Sequence, residues 1–86
     1  MTRPRRIFQI YRDMVELCPR IYTRLLHATN TTSDIYEEAE KHGLVTRRKE
    51  KNEDSTRKTV WMVYATPKGK TFAGYVNTME EMIGLR

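Results

Sequence analysis

Two groups of side chains in this 86-residue chain have the types and spacing to do chemistry. The first is Arg47, Arg48, Lys49 and Lys51, followed by Arg57 and Lys58, six cations around the charged stretch "EKNEDSTR". Cations grouped in this way neutralise a polyanion, by attraction and by release of its counterions. Glu50, Glu53 and Asp54 dilute the group, and opposite charges facing each other across a turn can pair, which adds little stability. The second group is Asn30, Thr31, Thr32 and Ser33, with Tyr36 one turn further on. Hydroxyls and amides at the start of a helix bond phosphates or base edges, and the helix N-terminus itself favours an anion. A plainer role is open to the same residues, because Thr32, Ser33 or Asp34 would also serve simply as a helix cap.

Other chemistries find no support in the residue pattern. His27 and His42 stand fifteen positions apart without an acidic or thiol partner at metal-ligand spacing, so no metal is expected. Neither has a recognisable serine or cysteine partner, and Cys18 beside Pro19 reads as a small buried hydrophobe. No glycine-rich phosphate loop occurs. The expectation is a protein that is not an enzyme, with no cofactor and no evident small-molecule ligand. A single cysteine excludes an internal disulfide and suits a reducing interior. The opening "MTRPRRIFQI" lacks a long apolar run, so neither a signal peptide nor a membrane span is expected, and the cytoplasm is the expected place. The Asn30-Thr31-Thr32 glycosylation pattern is then incidental. Net charge +5 and a pI near 9.6 put nucleic acid first among partners.

The elements that must position these groups follow from periodicity. Ile7, Ile10, Tyr11, Met14 and Leu17 recur at three and four, which predicts a helix over 5–17. Pro19 ends it and suits the first turn of a second helix, with Ile21, Tyr22, Leu25 and Leu26 inward and an end near Ala28. A third helix begins between Thr32 and Asp34. Asp34 with Glu37 resembles a capping box, Ile35 and Ala39 form the inner stripe, with Tyr36 open to either face, and Gly43 stops it. Its acids thus have a structural use: they cap the helix and solvate its outer face. Leu44 to Lys49 and "KTVWMVYA" read as two strands of a hairpin. Thr66 and Pro67 then open a fourth helix, along which Phe72, Val76, Met79 and Ile83 recur as in a coiled-coil seam widened by Tyr75 and Met82. Trp61 and Tyr64 read as core and sheet packing. A chain this short buries only about 60% of its unfolded surface, so self-association is the expected source of further apolar burial.

The order of elements, with "EKHGLV" leading into the hairpin and "YATPKGK" leading out, resembles the winged helix-turn-helix family. The long last helix makes it most similar to small archaeal and archaeal-virus winged-helix regulators that dimerise through an antiparallel two-helix coil. The resemblance covers essentially the whole chain and implies an α+β fold: three helices, a β-hairpin wing and a C-terminal helix. It divides the chain into a flexible basic arm (1–6), a winged-helix domain (7–66) and a dimerisation helix (67–86). It places Asn30, Thr31, Thr32, Ser33 and Tyr36 nearest the DNA, with the wing cations on the backbone. Arg20 and Arg24, on the second helix, would touch phosphates, and the arm cations Arg3, Arg5 and Arg6 would reach a minor groove. Phe72, Tyr75, Val76, Met79, Met82 and Ile83 would form the dimer interface.

The function this implies is a double-stranded DNA-binding, sequence-specific transcription regulator that meets an inverted repeat as a homodimer. Two other readings fit the same residues. One is an architectural DNA binder without sequence preference, which the acidic third helix suits. The other is a winged-helix module for protein contacts.

Overall fold

The computed structural model describes residues 4–51 and 59–84, and the side chains of all of these except residues 4–6. Helix α1 (Pro4–Leu17) leads through β1 (Arg20–Ile21) to α2 (Tyr22–Thr29) and α3 (Ser33–Lys41). The hairpin strands β2 (Val45–Lys51) and β3 (Thr59–Ala65) follow, then α4 (Pro67–Met82). The strands make one antiparallel sheet in the order β1-β3-β2. This is the α+β architecture of a winged helix. No helix among the described residues is long and apolar enough to cross a membrane.

Three features differ from the sequence reading. Helix α1 begins at Pro4, so the backbone of Arg5 and Arg6 lies in its first turn and not in an extended arm. Arg20 stands on a strand and not on the second helix. β3 is the middle strand, and Arg20 and Ile21 satisfy its second edge opposite Val63 and Met62, which a helical turn there would leave open. Asp34 is not a cap. Thr32 occupies the N-cap position of α3, with no side-chain cap bond, and Asp34 acts only as an acid in the first turn, favourable to the helix dipole.

Both helices of the helix-turn-helix end by the same device. At Asn30 (φ 52°) and Gly43 (φ 78°) the backbone turns left-handed. The next amides then reach back: Thr31 N to the Leu26 carbonyl at 3.0 Å, and Leu44 N to the Ala39 carbonyl at 3.0 Å. These are Schellman closures, which use carbonyls the helix end would otherwise leave unpaired. Asn30 therefore has a structural job before it has any other.

The core gathers Tyr11, Met14 and Val15 from α1, Leu25 from α2, Tyr36 and Ala39 from α3, Leu44 and Val45 at the entry to the wing, Val63 from β3 and Ala73 from α4. Thr66 ties the last helix to it. Its hydroxyl accepts from the Gly69 amide at 2.9 Å and donates to the Gly43 carbonyl. Gly69 is required by contact: a Cβ there would lie 1.9 Å from the Leu44 carbonyl oxygen. The "TPKG" sequence is thus a cap followed by a point of backbone contact.

Candidate nucleic-acid interface

The start of α3 presents its polar residues to solvent. Asn30, Thr32 and Ser33 are exposed, and half-buried Thr31 shares its hydroxyl with that of Thr29 at 2.8 Å. Tyr36 is not part of this surface. It is fully buried, with its ring edge-on to Tyr22 at 4.8 Å and its hydroxyl donating to Glu40 at 3.3 Å. Burial first, and then Glu40, push its pKa up. The place given to Tyr36 among DNA contacts is therefore corrected: one turn into α3, position 36 has rotated into the core. Along the outer face Asp34, Glu37, Glu38 and Lys41 are exposed, three acids to one cation. Only the first turn of α3 suits a phosphate-lined groove.

The wing cations separate into held and free ones. The Arg47 guanidinium lies 4.9 Å from the Tyr22 ring centre, 5.3 Å from that of Tyr36 and 5.4 Å from that of Trp61. It also pairs with Glu40 of α3 at 3.6 Å. Stacking and pairing of this kind exploit the flat guanidinium and fix it in place. Arg48 lies 4.4 Å from the Tyr64 ring centre and 3.9 Å from Glu50, whose carboxylate accepts the Tyr64 hydroxyl and raises its pKa. Lys49 and Lys51 are exposed, with no carboxylate partner among the described residues. Arg20 and Arg24 are likewise exposed, on β1 and α2. Arg3, Arg57 and Lys58 lie outside the described residues, as do the side chains of Arg5 and Arg6.

The proposed dimer residues also divide. Val76 is buried within its own chain, and Phe72 packs edge-on to Phe8 at 5.9 Å and tilted against Tyr11 at 6.2 Å. They are not a free seam, because α1 already covers that side of α4. Tyr75, Met79, Met82 and Ile83 are exposed. With Phe8 they are five of the six large apolar side chains exposed among the described residues, and Phe8, Val76, Met79, Met82 and Ile83 line a groove of about 370 Å³.

Two functional candidates escaped the sequence. Trp61 is 45% exposed, although its strand reads as packing throughout. Counting alternate residues outward from Val63 would have placed it beyond the core. Arg12 and Glu80 form a buried ion pair between α1 and α4, and no local pattern signals a pair sixty-eight positions apart. Among the described residues no three of His, Cys, Asp and Glu come together to hold a metal ion.

No protein-family model and no curated protein matches this chain. Two solved structures share its fold. The transcriptional regulator SlyA superposes with a TM-score of 0.64 at 16% identity, over 99% of this chain and 61% of that one. A SlyA-like transcription regulator from Listeria monocytogenes gives 0.61 at 18% identity, over 93% of this chain and 55% of that one. The chain spans less than two thirds of either neighbour. At these identities the likeness is one of fold, and the fold is the winged helix.

Proposed function

We propose that this chain is a double-stranded DNA-binding transcription regulator that acts as a homodimer on an inverted repeat. One observation carries the reading: the Arg47–Glu40 bridge joins α3, whose first turn exposes hydroxyls, to the wing strand on which Lys49 and Lys51 are exposed with no carboxylate partner among the described residues. A helix start that can meet base edges, rigidly joined to cations that can hold a backbone, is the division of labour of helix-turn-helix docking. Both fold neighbours are transcription regulators by name, which supports the same reading. The acids further along α3 confine base contacts to Asn30, Thr31, Thr32 and Ser33.

The second copy docks on Tyr75, Met79, Met82 and Ile83, whose exposure at the end of α4 leaves a small domain short of buried apolar area. A two-fold axis there separates two reading heads, so half-sites fall about one helical turn, or a multiple, apart. The archaeal or archaeal-viral subtype rests on the sequence resemblance, and with it a cytoplasmic place of action. A second reading, an architectural binder without sequence preference, is favoured by the exposed Asp34, Glu37 and Glu38 on the helix that should read bases.

The test is fluorescence anisotropy of a random duplex pool and of a pool enriched on the protein, across a salt series. About six phosphates neutralised per dimer give a log–log salt slope of about −5. Enrichment of an inverted repeat, bound ~10³-fold more tightly than the random pool, bears out the regulator. The same slope without enrichment moves the architectural reading to first. A flat salt response overturns both.

A further inference from the structure

The register of the wing sorts its side chains onto two faces. Val45–Ala65, Arg47–Val63, Lys49–Trp61 and Lys51–Thr59 are opposite each other on one face, and Thr46–Tyr64, Arg48–Met62 and Glu50–Val60 on the other. The carboxylate of β2, Glu50, falls on the second face, where Tyr64 and Arg48 engage it. The first face carries Arg47, Lys49 and Lys51, and Arg20 of β1 joins it opposite Val63. Strand periodicity alone therefore puts three of the four cations of β2 on the face away from its acid.

Trp61 sits in the middle of that cationic face. Val63, two residues nearer the root, is fully buried and closes the core, so the indole is not needed there. Arg47 holds one side of the ring from 5.4 Å and is itself held by Glu40 of α3. The ring is thus oriented by the body of the domain while almost half of the residue stays in water.

We propose that Trp61 is a nucleic-acid contact of the wing: its indole packs against the sugar-phosphate backbone of a DNA duplex while Lys49 and Lys51 pair with phosphates on either side. This rests on the DNA-binding reading above and adds the face by which the wing binds. Charge complementarity selects a polyanion, since the exposed side chains of this face of the described sheet are cations, a threonine and the indole. A duplex fits better than a single strand. Stacking successive bases takes several free rings, and the neighbouring Tyr22 and Tyr36 are engaged with each other and with Arg47.

The chain has one tryptophan, so its emission reports on this position alone. A labelled duplex is titrated with the full chain while tryptophan emission and DNA anisotropy are read on the same samples, with the single strand of the same sequence alongside. Emission is expected to change in step with anisotropy. Trp61→Ala and Lys49→Ala should each weaken duplex binding about fivefold or more, with Trp61→Phe in between, Lys49→Ala melting close to the parent and Trp61→Ala lower by the lost stack on Arg47 yet folded at the titration temperature. Duplex binding with unchanged emission and an unaffected Trp61→Ala overturns the contact but leaves the DNA-binding reading standing. A single strand that acts at lower concentration than the duplex overturns the duplex assignment of this face. No binding to either overturns both the contact and the reading beneath it.

Discussion

The Arg12 guanidinium and the Glu80 carboxylate meet between α1 and α4, with the two residues only 8% and 6% exposed. Both charges have further partners. Arg12 donates to Asn77 at 2.6 Å and to Asp13 at 2.7 Å, and Gln9 donates to Glu80 at 2.6 Å. The hydrogen bond to Glu80, ahead of the opposing effect of burial, raises the Arg12 pKa, so the cation persists throughout the folded range. This network fixes how the last helix lies on the first, and Gln9 and Glu80 from it help to line the apolar groove beside Phe8 and Met79.

Removing one partner takes from a buried ion its main opposite charge. Glu80→Ala or Arg12→Ala should destabilise by about 3–5 kcal/mol, while replacing both, Arg12→Met with Glu80→Leu, should be neutral or stabilising. In a domain of this size each single variant should melt well over ~10 °C below the parent. Thermal melts of the three variants decide the matter. If the double variant falls as far as the singles, the pair contributes more than its desolvation costs.

The glycines of α4 predict opposite outcomes. Gly69→Ala drives a methyl into the Leu44 carbonyl, at a point where Thr66 and the α3–β2 turn hold both sides. A loss of about 3 kcal/mol or more is expected, since backbone cannot give way as a side chain can. Gly74→Ala meets nothing within 4 Å on an exposed stretch of the same helix. It should gain about 0.5–1 kcal/mol by removing the freedom of a mid-helix glycine in the unfolded chain. Denaturant midpoints of the two variants check both signs.

What could be read from the sequence follows the range of the interaction. The periods of α1, α3 and α4, the Thr66 cap, Gly43 as a stop and the β-prone "TVWMVYA" are local signals, and each appears in the structure as read, while Ile21 of the second helix's expected stripe lies on β1. β1 is missed because two residues hold no period, and their conformation is set by the edge of a strand some forty residues away. Tyr36 is misplaced for a related reason. A tyrosine one turn into a helix suits either face until Tyr22 and Arg47 arrive to enclose it. Phe72 and Val76 fit a coiled-coil seam and equally a seam against α1, and the period alone cannot say which chain supplies the partner.

Cys18 tests the interior chemically. Its thiol donates to the Met14 carbonyl at 3.0 Å, and burial pushes its pKa up to about 11 from 9.0. At pH 8 the thiolate fraction is then about a hundredfold below that of an ordinary thiol, and reaction with a disulfide reagent should slow to match. Unfolding in denaturant should restore the ordinary rate. Because the folded state holds this proton more tightly, its contribution to stability is complete below pH 9.0 and is lost as pH rises toward about 11. A native-state rate equal to the unfolded one would place the thiol in water.

Arg47 and Lys51 should fail in different ways. Arg47→Lys keeps the charge but loses the flat group that Tyr22, Tyr36 and Trp61 surround, with a cost of about 1–2 kcal/mol in stability. Lys51→Ala removes an exposed cation and should leave the melting temperature unchanged. If Lys51 contacts phosphate, the log–log salt slope should fall by about 1 for each protomer, equally for specific and random duplexes. A salt slope unmoved by Lys51→Ala would take that residue off the backbone.

The proposed dimer contact at the end of α4 can be tested directly. Met82 and Ile83 are 80% and 60% exposed, so a charge at either position costs the monomer little. Met82→Glu and Ile83→Glu should each fold with the parent's circular dichroism yet sediment as monomers, because a charge at a buried dimer contact has no partner there. Val76→Glu would not serve, since Val76 is only 2% exposed within its own chain and its loss would unfold α4 from α1. The DNA consequence follows from the geometry of two heads. A monomer should still bind a half-site weakly, with about half the salt slope of the dimer, and should lose the preference for a fixed half-site spacing. Sedimentation velocity on parent and variants, followed by the same duplex titration, reads both effects. A parent that sediments as a monomer while choosing an inverted repeat would move the dimer contact onto the DNA itself.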